Sequence, residues 1–148
     1  MSLPALCILY GSATGNAEHI AKELSTSIPS SGEFYSSVIC CEMNQFKRKC
    51  QKAWENEIMV NDCSYKHPVI CVTSTTGNGD APENASRFVR YVKKGDTAKT
   101  MPFRNCVYAV MALGDTNYDQ FCATGKVSII SPCELLSMCF AQYMTVTS

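Results

Sequence analysis

The sequence predicts an α/β protein with a doubly wound parallel sheet, and three observations support this fold class. Four apolar runs alternate with segments of helical periodicity, which is the order of βαβ units joined by right-handed crossovers. Three of these runs are followed by short loops rich in Gly, Ser, Thr and Asn. No internal repeat or linker divides the 148 residues. Because the carboxyl ends of parallel strands meet at one crevice, we expect the three loops to form a single ligand site.

The strands are predicted at apolar runs, namely residues 5–10, 35–41, 68–73 and 106–113. The helices are predicted where apolar residues recur at helical spacing, at residues 15–28 and from Pro82 to about Lys94. Residues 45–58 are predicted to form a helix or an irregular polar segment.

The end of the chain departs from this alternation. After Lys126 no convincing strand is followed by an amphipathic helix, although residues 134–143 have the composition of a short apolar helix. We therefore expect one domain over residues 1–126 and a divergent tail over residues 127–148 that is irregular or loosely helical. On this interpretation the fifth strand of the sheet is missing or degenerate.

Composition and charge argue against several classes of function. The formal net charge is zero, so nothing in the chain as a whole favours nucleic acid or a membrane surface as a partner. No stretch approaches the ~20 apolar residues of a membrane span, and the N-terminus lacks the pattern of a secretory signal. The ten cysteines include no C-x-x-C pair, and five of them fall in predicted strands. This placement favours reduced thiols and a cytoplasmic location.

Charged and titratable residues outside the loops offer little chemistry. The basic run at residues 46–52 is interpreted as a solvated face, with a docking patch as the alternative. His19 falls on a polar helix face and His67 precedes a strand. With two histidines and no suggestively spaced pair of carboxylates, acid–base or nucleophilic catalysis has no support.

The first loop, residues 11–16, has the composition of an anion-binding turn. It contains neither the Walker A pattern nor the glycine pattern of dinucleotide-binding proteins. It does place hydroxyls and backbone N–H groups at the start of a helix, where orphan amides and the helix dipole favour a phosphate. Ser12, Thr14 and Asn16 can add side-chain hydrogen bonds. The alternative is an ordinary helix N-cap, for which Ser and Thr are also preferred.

The second loop, residues 74–80, places Gly77 and Gly79 on either side of Asn78. Glycine permits a positive φ and a close approach of the backbone to a flat ligand, so a peptide here can present its N–H or C=O to a ring edge. The alternative is a plain turn into the next helix, capped by Asp80.

The third loop, residues 113–118, ends in Tyr118. Its ring can stack on a flat heterocycle, which contributes roughly 0.5–1.5 kcal/mol beyond the area buried; the alternative is a tyrosine packed on its own domain. Asp115 can cap a turn or place negative charge near a ring. Phe121 and Cys122, just beyond, are better suited to packing than to chemistry. A phosphate loop, a ring edge and a ring face together outline a site for flavin mononucleotide (FMN).

The three segments Y-G-S-A-T-G-N-A (10–17), S-T-T-G-N-G-D (74–80) and A-L-G-D-T-N-Y (112–118) resemble the FMN domain of the diflavin reductases. The resemblance covers about residues 6–126 and implies a flavodoxin-like sheet of order 2-1-3-4, the fifth strand of the family being the one we expect to be missing. It implies FMN as the cofactor, with FAD and NADPH bound only by a module that this sequence lacks. By position, the residues expected to bind FMN are Ser12, Ala13, Thr14, Gly15, Asn16, Thr75, Thr76, Gly77, Asn78, Gly79, Leu113, Gly114, Asp115, Asn117, Tyr118, Phe121 and Cys122.

Two segments are most similar to the methionine synthase reductase branch of this family: Thr76 stands where the cytochrome P450 reductases usually have a stacking tyrosine, and residues 121–126 follow the same branch. The resemblance implies an electron-transfer module that takes electrons from an FAD/NADPH reductase module and passes them to a protein acceptor such as methionine synthase. Alone it would not be a complete enzyme. The alternatives are a truncated, non-catalytic isoform that binds FMN or a partner, and the FMN domain of another diflavin reductase of the cytochrome P450 reductase type.

Overall fold

The computed structural model describes residues 3–57, 67–94, 106–114, 119, 122–124 and 139–145. Its strands form one parallel sheet of order β2-β1-β3-β4-β5. The strands are β1 (Leu6–Gly11), β2 (Val38–Glu42), β3 (His67–Ser74), β4 (Cys106–Gly114) and β5 (Cys139–Thr145). The predicted α/β class and the 2-1-3-4 order of the first four strands are confirmed.

The helices are α1 (Asn16–Ser27), α2 (Lys52–Glu57) and α3 (Ser86–Lys93). A 3₁₀ turn (Met43–Gln45) and a turn of π-helix (Lys47–Gln51) lead into α2, and a 3₁₀ turn (Glu83–Ala85) leads into α3. Residues 45–57, for which the sequence left a helix and an irregular segment open, are therefore helical. Pro82 lies just before the 3₁₀ turn, where its missing N–H costs nothing.

The fifth strand corrects the expectation that it would be missing. β5 pairs in parallel with β4 over seven residues, from the Tyr108–Cys139 pair to the Gly114–Thr145 pair. The prediction of an irregular or helical tail is therefore wrong for residues 139–145, while the rest of the predicted apolar helix lies outside the described residues. The physical reason is tertiary: β4 would otherwise present a row of unpaired backbone groups, and pairing with that edge selects a strand in a segment that mixes residues favouring strand and helix.

Two apolar cores lie on the opposite faces of the sheet, because alternate residues of β1 point to opposite sides. Cys7 and Leu9 belong to the core that contains Phe46, Trp54 and Phe88, beneath the helical segment 43–57 and α3. On the other face Leu6, Ile8 and Tyr10 pack with Ala17 and Ala21 of α1. The sheet is thus covered by helices on both sides, as a doubly wound parallel sheet requires.

The cysteines of the first four strands behave as small apolar residues. Cys7, Cys41, Cys71 and Cys106 are at most 5% exposed, Cys40 is half-buried, and none of these five cysteines is in a disulfide. Burial raises the pKa of the Cys71 and Cys106 thiols to about 12, so both stay protonated at neutral pH. Among the described residues, no helix is both long enough and apolar enough to cross a membrane.

Candidate cofactor-binding site

The carboxyl ends of β1, β3 and β4 lie side by side, and each leads into one of the three loops singled out in the sequence. Gly11 of β1 lies opposite Thr73 of β3, and Ser74 lies opposite Leu113 of β4. The Ser74 hydroxyl donates to the Gly11 carbonyl at 3.4 Å, which joins the first two loops where they leave the sheet. The strand ends that carry the three loops therefore lie together, next to the β1/β3 position where the strand order reverses. Convergence of the third loop itself stays a prediction.

The first loop leaves backbone donors free at the start of α1. The Ser12 hydroxyl accepts the Gly15 N–H at 2.9 Å, and Gly15 itself has φ +96°, a conformation that favours glycine. Ser12 thus holds the loop rather than capping the first turn of α1. Within the described part of the chain, the N–H groups of Ala13, Thr14 and Asn16 have no acceptor. Free amides at the start of a helix are what an anion requires.

A residue far along the chain braces this loop. The Ser12 N–H donates to Asn84 Oδ1 at 2.9 Å across a separation of 72 residues. The approach is possible because Gly11 has no side chain: a Cβ there would lie 2.7 Å from the Ala85 Cβ and 2.8 Å from the Thr73 hydroxyl. Sequence reasoning missed Asn84, since no local pattern marks a contact of this range.

A second asparagine joins the end of β2 to α3. The side-chain oxygen of Asn44 accepts the N–H groups of Arg87 at 2.9 Å and Phe88 at 3.2 Å, while its Nδ2 donates to the Glu83 carbonyl at 2.8 Å. Asn44 therefore caps α3 from a different element. This result contradicts the alternative in which Asp80 caps the helix, and it anchors the turn that carries Asn84.

The second loop is a closed turn. Thr76 and Asp80 form an isolated antiparallel bridge: the Thr76 N–H and hydroxyl donate to the Asp80 carbonyl at 2.9 and 3.1 Å, and the Asp80 N–H donates back at 2.9 Å. Between them Gly77 and Gly79 have φ values of +49° and +101°. Asn78, at the tip, is exposed. The turn therefore presents peptide groups on a framework that its own hydrogen bonds fix.

Only part of the third loop is described. Leu113 is 4% exposed and packs in the α1-side core, and Gly114 ends β4. The predictions that rest on Asp115, Asn117, Tyr118 and Phe121 lie outside the described residues. Cys122 is fully buried with φ +53°, and its thiol lies 3.6 Å from the Ala112 carbonyl. Its assignment to the FMN site stays a prediction.

Thr124, which sequence reasoning also missed, connects this segment to the second loop. Its N–H donates to the Thr75 hydroxyl at 3.2 Å, and its own hydroxyl donates to the Asp80 carbonyl at 3.4 Å. Thr124 is 2% exposed. Thr124 is thereby held against the turn after β3.

A cavity of about 860 Å³ opens beside the first loop, on the side of β2. This volume lies within the usual range for ligand sites. Its lining combines loop residues with charges of both signs: Ser12, Ala13, Glu42, Asn44, Gln45, Arg48, Glu83, Asn84 and Arg87.

A doubly wound sheet with three loops at the carboxyl edge defines a class of nucleotide-binding α/β proteins, and comparison with known proteins narrows it. The model of the flavodoxin family matches residues 8–127. The chain is 33% identical over 124 residues to methionine synthase reductase of Bos taurus, which covers 81% of this chain and 15% of the relative. It is 33% identical over 119 residues to the sulfite reductase [NADPH] flavoprotein alpha-component of Shewanella oneidensis, covering 80% of this chain and 17% of the relative.

Solved structures agree on the fold. A flavodoxin from Pseudomonas aeruginosa with a cysteine-to-serine substitution has a TM-score of 0.66 at 21% identity and covers 95% of this chain and 83% of its own. Oxidised flavodoxin 1 from Bacillus cereus has a TM-score of 0.60 at 15% identity, covering 97% and 86%. The chain belongs to the flavodoxin family, and it spans less than a fifth of the length of the curated relatives it matches. FMN is the cofactor that this fold and these relatives imply.

The described residues fit that cofactor. A phosphate monoester needs several donors at one point, and the first loop has three free amides beside the hydroxyl of Thr14. A flat ring system needs a backbone that can approach closely, and the turn at Gly77–Gly79 carries no large side chain. No described group of three or more His, Cys, Asp or Glu residues is arranged to hold a metal ion.

Proposed function

We propose that this chain binds FMN at the carboxyl edge of β1, β3 and β4 and acts as an electron-transfer module. The observation that carries the proposal is the first loop, whose free N–H groups lie at the start of α1 beside the switch point between β1 and β3. Amides at this position recognise an anion without a lysine, which suits a terminal phosphate.

Each of the three loops has its own proposed role in binding FMN. Ser12 and Asn84 hold the first loop in shape so that Ala13, Thr14 and Asn16 donate to the phosphate. The turn closed by Thr76 and Asp80 presents the peptides around Gly77–Gly79 to the ring edge. The role of Tyr118 as a stacking residue remains a prediction from the sequence.

When bound, FMN supplies a carrier that takes up two electrons and releases them singly. The chain's contribution is to bind and orient it and to present its ring edge to a partner. By analogy with the diflavin reductases that it resembles, we infer that a reductase module holding FAD and NADPH supplies the electrons and that a protein receives them. Methionine synthase is the acceptor we favour, because Thr76 and residues 121–126 match that branch. A cytoplasmic location is part of the proposal, and the free, buried cysteines support it.

The experiment compares FMN with riboflavin, which lacks the phosphate. We expect flavin-free protein to bind FMN far more tightly than riboflavin in a fluorescence titration. Thr14→Glu places a carboxylate where the phosphate would sit and should raise the FMN dissociation constant about a hundredfold, with little effect on riboflavin. Thr26→Glu is the matched control, because Thr26 is an exposed threonine at the opposite end of α1 from the first loop. Equal affinities for FMN and riboflavin would contradict the phosphate assignment.

The electron-transfer half is tested separately. Protein loaded with FMN and reduced by dithionite under anaerobic conditions should reduce a diflavin-reductase acceptor, followed by its absorbance. NADPH alone should not bleach the flavin. Bleaching by NADPH without a partner would reveal a nicotinamide site and contradict the proposal, whereas FMN binding without any transfer to acceptors would favour the non-catalytic binding isoform.

A further inference from the structure

The positive charge of this neutral chain is gathered on two neighbouring elements. Residues 47–52 carry four of the 13 lysines and arginines, residues 87–94 carry another four, and all eight are exposed. The segments that contain them, 43–57 and 83–94, have only three glutamates. Charge of one sign concentrated in this way attracts acidic partners through the field that it creates.

Among the side chains that the structure describes, none of these cations is in an ion pair. The two ion pairs found in the described part of the chain are His19–Glu23 and Lys22–Glu18, both on α1. α1 covers the opposite face of the sheet from α3. Lys47 instead places its ammonium 3.8 Å from the centre of the Tyr91 ring, a cation–π contact that holds one charge at the edge of α3.

A cavity of about 270 Å³ lies between the two basic elements. We call it the basic groove and define it by its lining. Its floor is apolar and consists of Met43, Phe46, Phe88 and Tyr91. Its cationic rim consists of Lys47, Arg87, Arg90 and Lys94. Because Met43, Phe46 and Phe88 are at most 7% exposed, the half-buried Tyr91 ring supplies most of the accessible apolar surface. That surface suits one apolar side chain, and the rim places charge of a single sign around it.

We propose that the basic groove binds an acidic protein segment that inserts one apolar side chain between the carboxylates on either side of it. The chemistry favours a peptide over nucleic acid. Phe46 and Phe88 are 2% and 7% exposed and pack edge to face with each other, and the half-buried Tyr91 ring already contacts the Lys47 ammonium. These three rings therefore do not form a platform on which successive bases could stack. A membrane surface is also disfavoured, because the large exposed apolar residues of the described chain, Phe34 and Val107, lie outside both basic segments.

The groove is separate from the flavin loops. It borders the larger cavity beside the first loop, with Asn44 and Arg87 lining both. Its floor and rim nevertheless come from residues 43–47 and 87–94, none of which is a predicted FMN ligand. Binding of the peptide can therefore be measured on the whole protein with or without flavin, so failure of one proposal is distinguishable from failure of the other.

The test uses a fluorescein-labelled nonapeptide with a central phenylalanine and four glutamates on each side, followed by fluorescence anisotropy. We expect binding that weakens as salt is raised, because the rim charges are exposed. A peptide with alanine in place of the phenylalanine, and one with glutamines in place of the glutamates, should each bind about tenfold more weakly or not at all.

Charge reversals on the protein locate the site. Arg90→Glu and Lys94→Glu should each weaken binding of the phenylalanine peptide about tenfold, whereas Lys22→Glu, the same kind of change on α1, should leave it within about twofold. Circular dichroism confirms that each variant is folded. Unchanged affinity in Arg90→Glu and Lys94→Glu would overturn the proposal.

Three further outcomes would also overturn it. Tighter binding of an oligothymidylate than of the peptide would assign the groove to nucleic acid. Tighter binding to phosphatidylserine vesicles would assign it to a membrane. A salt-sensitive dimer in sedimentation, abolished by Arg90→Glu, would show that a second copy of this chain occupies it.

Discussion

Two glycines of the first loop are needed for different physical reasons, and substitutions distinguish them. At Gly11 the limit is space: an added Cβ would lie 2.7 Å from the Ala85 Cβ, about 1 Å inside ordinary carbon–carbon contact. At Gly15 the limit is conformation, since φ is +96° and nothing lies within 4 Å of an added Cβ. Overpacking costs about 1–3 kcal/mol, and a non-glycine residue in a left-handed conformation costs about 1–2 kcal/mol.

The two causes predict opposite rankings of the same substitutions. Asn tolerates positive φ better than Ala does, so Gly15→Asn should be less destabilising than Gly15→Ala. At Gly11 the order reverses, because Asn is larger and the site has no room: Gly11→Ala should cost about 2 kcal/mol and Gly11→Asn more. With a urea m-value of about 1–3 kcal/mol/M, the Gly11→Ala midpoint should fall by roughly 1 M.

The assay is urea unfolding of flavin-free protein followed by circular dichroism, so that ligand binding does not contribute to the midpoint. Removing the nearer of the two obstructing atoms provides the internal control: Ala85→Gly should be less harmful in the Gly11→Ala background than in the wild type. The reasoning fails if Gly11→Ala unfolds at the wild-type urea concentration, or if Asn and Ala rank in the same order at both positions.

Two other contacts give predictions of their own. Asn44→Ala removes the cap of α3 and should lower the free energy of unfolding by about 1–2 kcal/mol. Asn44→Asp keeps the acceptor for the Arg87 and Phe88 N–H groups and should lower it less. Equal losses of unfolding free energy in urea titrations of the two variants would refute the capping role. His67 stacks on Trp54 at 4.6 Å between ring centres, and burial lowers its pKa. Its contribution to stability is therefore present above the unfolded pKa of about 6.5 and is lost as pH falls through the lower folded pKa, so His67→Phe should flatten the fall in melting temperature between pH 7 and pH 5.

Much of the site was predictable from the sequence because its signals are local. Strand, loop and helix follow one another within about 20 residues, and Gly15, Gly77 and Gly79 occupy positions where the backbone needs a positive φ. The braces were not predictable in this way. Asn84 meets Ser12 across 72 residues, and Asn44 meets Arg87 across 43, and nothing in the neighbourhood of either asparagine indicates its partner.

The fifth strand was misjudged because composition and context disagree. Residues 139–145 read Cys-Phe-Ala-Gln-Tyr-Met-Thr, in which Ala, Gln and Met favour helix and only Thr145 is β-branched. These residues form a strand because they pair with the edge of β4. Nothing within the segment indicates that pairing.

The position of β5 also bears on the proposed flavin site. Because β5 pairs with β4 as far as Gly114 and Thr145, β4 has a strand on both sides along its whole carboxyl half. The third loop therefore starts from an interior strand rather than from an exposed edge. Both rows of backbone groups of β4 are thus hydrogen-bonded, one to β3 and one to β5. Residues 139–145 therefore complete the strand that ends at the predicted site, although they contain none of the predicted FMN ligands.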